Sequence, residues 1–272
     1  MSGVGRLALA IVMLAGCAEE LTPQSLVYDM RVLAVRAEPA AAAPGDTVHL
    51  DALVVDPFGA DRPITSLWAA CVNPPADNPA RCLEGGAPQV LGQDAAVDAV
   101  VPDDALVGRE QGVLGVVLYV CAGGTLAIGE GGAVCEGEGA STIVAVKRVP
   151  ILLEPDNANP AIAEVLLDGA VLEEGAMPTL GSCAGECTKH VFTVRAADGA
   201  EERYRRDGEA VREELVSSFA ATSGQLEVPF GFGPTTEVEW TPPDSRGLVL
   251  FWFALRDDRG GVTWAERQTL VQ

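Results

Sequence analysis

The stretch Thr47-Val-His-Leu-Asp-Ala-Leu-Val54 alternates apolar and polar residues along most of its length. In an extended chain successive side chains point to opposite faces, so the even-numbered apolar residues share one face while His49 and Asp51 share the other. The pattern therefore predicts a half-buried β-strand, which belongs to a sheet with one face turned toward a core.

Short runs of similar character recur on both sides of this stretch, separated by Pro, Gly and Asp. No segment has helical periodicity of useful length, and six or seven strands fit within about 120 residues, which favours an antiparallel β-sandwich. The other strands predicted in this half are residues 31–36, 64–70, 95–101, 113–121 and 141–149.

A second series of runs follows the segment Leu153-Glu-Pro-Asp-Asn-Ala-Asn-Pro160, whose prolines and asparagines interrupt regular structure. Its last two strands flank Asp257-Asp-Arg-Gly-Gly261, which supplies the residues that a tight hairpin needs. The length of 272 residues also favours two domains. The predicted organisation is a signal peptide at 1–16, a lipidated tether at 17–27, a β-sandwich at 28–152, a linker at 153–160 and a second β-sandwich at 161–272.

The segment Leu248-Val-Leu-Phe-Trp-Phe-Ala-Leu255 is apolar on both faces of its predicted strand. One face must meet the core of the second sandwich. The other face lies under a loop, lies under the first domain, or is exposed for a partner. We expect burial within the chain.

The charge of the chain is strongly negative, with 39 acidic residues against 18 basic ones and a formal net charge of −21. Such a chain repels nucleic-acid phosphate, so nucleic acid is not an expected partner. Hydrophobic residues make up 48% of the sequence, which is too apolar for a disordered protein.

The N-terminus has the order of an export signal: Arg6, an apolar run over residues 7–14, and then small residues before Cys17. The run is too short to span a bilayer, which takes about 20 residues. Leu14-Ala-Gly-Cys17 resembles the lipobox of bacterial lipoproteins, which implies cleavage before Cys17 and acylation of that cysteine. By the same resemblance Ala18 implies delivery to the outer membrane or cell surface, with the periplasmic face as the alternative orientation.

Six further cysteines follow, an even number that favours three disulfides in an oxidising compartment. Proximity in sequence favours three short loops, although fifteen connectivities are formally open. Strand direction disfavours a bridge between Cys71 and Cys121, because these would lie at opposite ends of antiparallel neighbours. The favoured pairs are Cys71 with Cys82, Cys121 with Cys135, and Cys183 with Cys187.

Several polar side chains are candidate metal ligands or catalytic groups. Cys183, Cys187 and His190 are ligand types for zinc, but no fourth ligand is evident, and we expect a loop disulfide beside a surface histidine. His49 is expected to be solvated. Calcium candidates are Asp56 with Asp61 and Asp257 with Asp258, for which turn chemistry is the favoured interpretation.

Known catalytic motifs, including nucleophile elbows, zinc-protease helices, phosphate loops and dinucleotide fingerprints, do not occur in the sequence. Catalytic residues, metal sites and cofactors are therefore not predicted. The charged segments at residues 201–207 and 212–214 are expected to form a solvated loop or strand edge, with a protein-binding strip as the alternative.

Several motifs resemble immunoglobulin-like (Ig-like) proteins. Trp68 and Tyr119-Val-Cys121 resemble the core tryptophan and the Tyr-x-Cys motif of the Ig-like fold, although the second strand lacks the cysteine of antibody domains. The chain over about residues 30–272 resembles two-module Ig-like lipoproteins of myxobacteria and related bacteria, and its last hairpin is similar to those of cadherin-like and PKD-type repeats. The motifs of the wider resemblance are residues 31–39, 43–50, 240–243, 256–262 and Trp264.

The resemblance implies two tandem Ig-like sandwiches and carries no catalytic residues. The predicted function is a lipid-anchored, non-enzymatic binding or assembly module of the cell envelope, with an envelope protein or glycan as partner. A metal-dependent envelope hydrolase and a purely structural spacer are the alternatives.

Overall fold

The computed structural model describes residues 23–59, 62–74, 88–129, 132–185, 187–206 and 208–272. The predicted signal peptide, the lipidation site Cys17 and the disulfide candidate Cys82 lie outside these residues. Every named element within them is a β-strand, so the fold is all-β. No helix in these ranges is long and apolar enough to cross a membrane.

The strands fall into two groups along the chain. The first group is β1 (Arg31–Glu38), β2 (Thr47–Val55), β3 (Ile64–Val72), β4 (Gln89–Gly92), β5 (Ala96–Val100), β6 (Gly112–Ala122), β7 (Thr125–Gly129), β8 (Gly132–Glu136) and β9 (Ser141–Ile151). The second group is β10 (Ile162–Leu167), β11 (Ala170–Val171), β12 (Thr179–Leu180), β13 (His190–Ala196), β14 (Arg203–Arg206), β15 (Glu209–Arg212), β16 (Val216–Ala221), β17 (Gln225–Leu226), β18 (Phe230–Phe232), β19 (Thr235–Thr241), β20 (Gly247–Arg256) and β21 (Val262–Val271).

The first group forms an Ig-like sandwich. One sheet has the order β1-β2-β5 and the other β4-β3-β6-β9. Strands β1, β2 and β5 thus lie in the sheet opposite β3, β6 and β9, which is the Ig-like arrangement. Trp68 is fully buried between the sheets, as predicted, and its indole Nε1 donates to the Asp94 carbonyl at 3.0 Å.

The second group forms another Ig-like sandwich, with sheets β11-β10-β13-β19-β17 and β12-β21-β20-β16-β18. Its core is aromatic: Phe192 lies 4.5 Å from Phe251 and 5.4 Å from Phe253 between ring centroids, and Trp240 packs edge-on against Phe251. These rings are all fully buried. The core side chains come from both sheets and hold them together.

Disulfides close two of the short loops that sequence proximity favours. Cys121, at the end of β6, is bonded to Cys135 in β8 with a Cα separation of 5.1 Å, and Cys183 is bonded to Cys187. Cys71 is also disulfide-bonded. The β7–β8 hairpin, which carries Cys135, is a two-stranded addition between β6 and β9 that the strand pattern does not predict.

The described part of the predicted tether is docked on the second sandwich. Ala221 in β16 donates its amide to the Ser25 carbonyl and accepts from the Val27 amide, both at 2.9 Å. The side chain of Val27 is buried. Residues 25–27, which the prediction includes in the lipidated tether, are therefore bonded to the folded body.

Candidate functional site

A buried apolar cluster joins the outer faces of the two sandwiches. Trp252 in β20 is 5% exposed and lies in this cluster, whereas Phe251 and Phe253 point into the core of the second sandwich. The prediction that the second apolar face of residues 248–255 is buried within the chain is thus confirmed. The other buried members of the cluster are Val27, Ala34, Leu53, Val55, Ala220 and Val262.

Strand β2 explains how the first sandwich takes part. Val48 and Leu50 point into its own core, as the alternation predicts, and Ala52 and Val54 pack against the same core. Leu53 lies on the opposite face, where a solvated side chain would be expected, and is buried against the second sandwich. The end of this strand is therefore two-sided, with one face for each sandwich.

The predicted linker is bonded to both sandwiches through Asn159. Its amide Nδ2 donates to the Ala37 carbonyl at the end of β1 at 2.7 Å, and its Oδ1 accepts from the Val262 amide at the start of β21 at 2.8 Å. One side chain therefore fixes the linker against the first strand of one sandwich and the last strand of the other.

Arg259, in the loop between β20 and β21, is the centre of an ion-pair network beside this linker. Its Nε donates to Glu213 at 2.5 Å, while its terminal nitrogens bind Glu202 at 2.6 Å and the linker residue Asp156 at 2.8 Å. The guanidinium also lies 4.6 Å above the Tyr204 ring. The side chains of Arg259 and Glu213 are only 13% and 1% exposed, so the pair is buried. Burial raises the pKa of Glu213.

Within the described residues, the charged segments at 201–207 and 212–214 are mostly exposed, as expected for a solvated strand edge, whereas Glu213 is buried. Residues 203–206 and 209–212 form the β14–β15 hairpin, and Glu202 and Glu213 at its base bind Arg259. Besides binding Arg259, the buried carboxylate of Glu213 accepts the Glu202 amide at 2.9 Å. Arginine and backbone partners therefore satisfy a carboxylate that sequence alone assigns to the surface.

Lys147 in β9 of the first sandwich binds the β20–β21 loop of the second sandwich. Its Nζ donates to the Gly260 carbonyl. Burial lowers the pKa of Lys147 to about 8, with the Arg256 charge acting in the same direction and Asp257 opposing it. Burial also raises the pKa of Asp257, against the effect of hydrogen bonds to its carboxylate from the Gly261, Arg259 and Gly260 amides. Titratable groups therefore lie inside the contact between the sandwiches.

We expect the stability of the native chain relative to a Lys147→Met variant to rise as the pH increases from about 8 to about 10. The folded protein holds its lysine proton less tightly than the unfolded chain, so the unfolded state binds more protons in this window and stability rises with pH. Urea denaturation of both proteins at each pH measures the difference. A difference that stays constant from pH 7 to 10 would mean that the ammonium is fully solvated.

The Cys183–Cys187 loop is a disulfide in the structure, so neither sulfur is available as a thiolate ligand for zinc. His190 is not the surface histidine that we expected: it is only 8% exposed, and its Nδ1 is 2.7 Å from Asp168 Oδ2. Partial burial raises the pKa of Asp168, but hydrogen bonds from His190 and the Val191 amide outweigh this effect and lower it overall.

The calcium candidates have protein partners. Asp56 lies 3.4 Å from Arg62, while Asp61 is outside the described residues. The Asp258 carboxylate accepts from the Tyr204 hydroxyl at 2.9 Å. No group of three or more His, Cys, Asp or Glu side chains suited to a metal ion occurs in the part of the chain that the structure describes.

His49 is half-exposed, and its Nδ1 pairs with Asp98 Oδ1 at 2.8 Å across β2 and β5. The expectation of a solvated side chain agrees with this exposure. Its carboxylate partner comes from a neighbouring strand, and the alternation of β2 alone does not identify it.

The junction is the contact between the two sandwiches around the buried cluster that contains Trp252. A groove of about 710 Å³ opens beside the junction, between the outer edge of β21 and the start of β10. Pro160, Gly175 and part of Phe251 are among its lining residues. Three carboxylates line it, those of Glu164, Glu174 and Glu266, together with one cation, Arg267.

The outer edge of β21 is open along this groove. The Val262 amide donates outward to Asn159 and the Leu270 amide to Pro178, both away from β20. In an antiparallel ladder every second residue points its N–H and C=O groups away from the paired strand. Trp264, Glu266 and Gln268 therefore also point these groups outward, away from β20. Among the described residues, the amides of these three have no hydrogen-bond partner.

The strand orders and the two separate cores define a tandem Ig-like β-sandwich protein. No protein-family model and no curated protein matches the chain.

Solved structures with some likeness include the D0-D1 domain of intimin, at 15% identity and a TM-score of 0.27, covering 88% of this chain and 98% of that one. Another is Escherichia coli alpha-2-macroglobulin activated by porcine elastase, at 12% identity and a TM-score of 0.25, covering 93% of this chain and 22% of that one. The Yersinia pseudotuberculosis adhesin InvE matches at 11% identity and a TM-score of 0.23, covering 87% and 58%. Scores this low carry no argument about function.

Proposed function

We propose that this protein is an exported, lipid-anchored protein of the cell envelope whose two Ig-like sandwiches form one rigid module for binding or assembly, without a catalytic role. The observation that carries the proposal is the junction between the sandwiches. Trp252 and its apolar neighbours are buried there, and Asn159, Arg259 and Lys147 bind across it. A junction bonded in this way holds the two sandwiches in one relative position.

Disulfides support an extracytoplasmic location. The Cys121–Cys135 bridge closes a loop with a sequence separation of 14, for which chain entropy gives a stabilisation of about 3 kcal/mol. Bonds of this kind persist in oxidising compartments and are rare in the cytosol. The apolar run before Cys17 supplies the matching export signal.

Lipid attachment at Cys17 accounts for how so acidic a protein stays at a membrane. Without residues 1–16 the chain has 39 acidic and 17 basic residues, a formal −22, so electrostatic attraction to anionic lipid does not hold it there. Acylation of Cys17 by two or more chains meets the two-signal requirement for stable anchoring. We place the protein at the outer membrane or the cell surface.

A Cys17→Ser variant is expected to move from the membrane fraction to the soluble fraction, because the proposal assigns membrane attachment to acyl chains on Cys17. Fractionation of cells that express tagged native or variant protein, followed by immunoblotting, measures this. The Cys183→Ser/Cys187→Ser double variant is the matched control and should stay with the membrane. Equal membrane retention of Cys17→Ser and the native chain would refute lipid anchoring.

A further inference from the structure

The open edge of β21 presents backbone groups in the groove that can pair with an added strand. Trp264, Glu266 and Gln268 present outward amides over a segment of five residues, about 13 Å of strand. The carbonyl of Glu266 already accepts from Arg267 Nη1 at 2.7 Å, which leaves the carbonyls of Trp264 and Gln268 for a partner within the described residues. Alternating free donors and acceptors at this spacing match the backbone of an added strand.

The ends of the groove limit what can enter it. At Val262 the edge is bonded to Asn159 of the linker, and at Leu270 it is bonded to Pro178 beside β12. An occupant therefore pairs with the interval between these two points. A short extended segment of a partner fits this interval, whereas a whole edge strand as long as β21 does not.

Charge selects the occupant further. Glu164, Glu174 and Glu266 line the groove, and Arg267 is the one cation among the lining residues. Glu164 is ion-paired with Arg195 at 2.6 Å and Glu266 accepts from the Trp252 indole at 3.1 Å, so Glu174 contributes the carboxylate without such a partner among the described residues. The guanidinium of Arg267 is already bonded to the Leu172 carbonyl at 2.6 Å as well as to Glu266. A second copy of this chain would bring the same carboxylates against one another. Basic side chains on the occupant would complement them.

We propose that this groove binds an extended, basic segment of a partner protein, which adds as a strand to the free edge of β21. The inference rests on the proposed function as a binding module and names the class of its partner. Apolar side chains on one face of the added strand would lie toward Ala265 and Ile162, which pack against the core, and lysine or arginine on the other face would meet the carboxylates.

The test uses the purified full chain without its signal peptide and three end-blocked nine-residue peptides. One alternates valine and lysine, one alternates valine and glutamate, and one is the lysine peptide with a central proline. Isothermal titration calorimetry at low salt should show at least tenfold tighter binding for the lysine peptide than for the other two. Amide hydrogen exchange at Trp264, Glu266 and Gln268 should slow when it binds.

A pair of variants at Gln268 isolates the backbone contribution. Gln268→Pro removes an outward amide without removing a ladder bond to β20, whereas Gln268→Ala keeps that amide. Both variants lose the side-chain bond to Gly175, so they are matched. We expect at least tenfold weaker peptide binding for Gln268→Pro than for Gln268→Ala, with circular dichroism and thermal melting showing that both are folded.

Three results would overturn the inference: no binding of the lysine peptide at millimolar concentration, equal binding by the two Gln268 variants, or equal binding of the valine–lysine and valine–glutamate peptides. Self-association that Gln268→Pro abolishes, measured by sedimentation, would instead assign the edge to a second copy and also overturn it. Release of Cys17→Ser from membranes together with absent peptide binding would refute the groove alone. Peptide binding together with membrane-retained Cys17→Ser would refute the lipid anchor alone.

Discussion

Replacing Trp252 by alanine should destabilise the protein by about 3–5 kcal/mol, the usual cost of removing a large buried aromatic side chain. Trp252 is 5% exposed between the two sandwiches, and its Nε1 donates to Glu266 at 3.1 Å. The variant loses apolar contacts that neither sandwich alone can replace. Urea denaturation followed by far-ultraviolet circular dichroism measures the loss, and limited proteolysis should cut the variant faster in the linker.

The control for this prediction lies on the same sheet. Phe232 in β18 is 68% exposed and is not a member of the junction cluster, so Phe232→Ala should change stability by no more than about 0.5 kcal/mol. An equally small effect of Trp252→Ala would mean that the sandwiches do not depend on one another. The proposal of a rigid two-domain module would then fail.

Replacing Arg259 by methionine should cost about 3–5 kcal/mol at neutral pH, because it leaves the carboxylate of Glu213 buried without its cation. The Glu213 side chain is 1% exposed, and the Glu202 amide would be its remaining partner. Thermal or urea unfolding measures the effect. A loss below about 1 kcal/mol would show that the carboxylate reaches water when the arginine is absent.

The pH dependence of this variant has a definite sign. Burial raises the pKa of Glu213 in the folded native protein above its ordinary value of 4.5, and the hydrogen bond and charge of Arg259 oppose this, so the variant raises that pKa further. The folded state then binds more protons than the unfolded chain above that pH, so stability falls as pH rises. Arg259→Met should therefore lose more at pH 7 than at pH 5. Adding Glu213→Gln should restore part of the stability and flatten this dependence.

Much of the fold follows from the sequence because its long strands have strong local patterns. The predicted strand at 47–54 is observed at Thr47–Val55, and the strand predicted after the hairpin residues 257–261 is observed at Val262–Val271. The shortest strands, such as β17 and β18, were not predicted. Two or three residues carry no measurable periodicity, and these strands form only because longer neighbours offer them an edge.

The junction could be predicted in part. The double-faced apolar run at 248–255 indicates that something covers its second face, but it does not say which residues do so. Leu53 is apolar on a nominally polar face, and Glu213 is buried although it lies in a charged run. Both are buried by contacts between segments distant in sequence, which no local window contains. The open edge of β21 is likewise visible only once the strand order is known.

The docking of Val27 on Ala221 has a mechanical consequence. The segment that leads to Cys17 precedes the first sandwich in sequence, yet it is hydrogen-bonded to β16 of the second. Tension between an anchored N-terminus and a partner held at β21 would pass through β20 and β16 by way of their cross-strand bonds. The hydrogen-bonded route from the N-terminal segment to the groove therefore runs within the second sandwich, through the sheet that carries the groove.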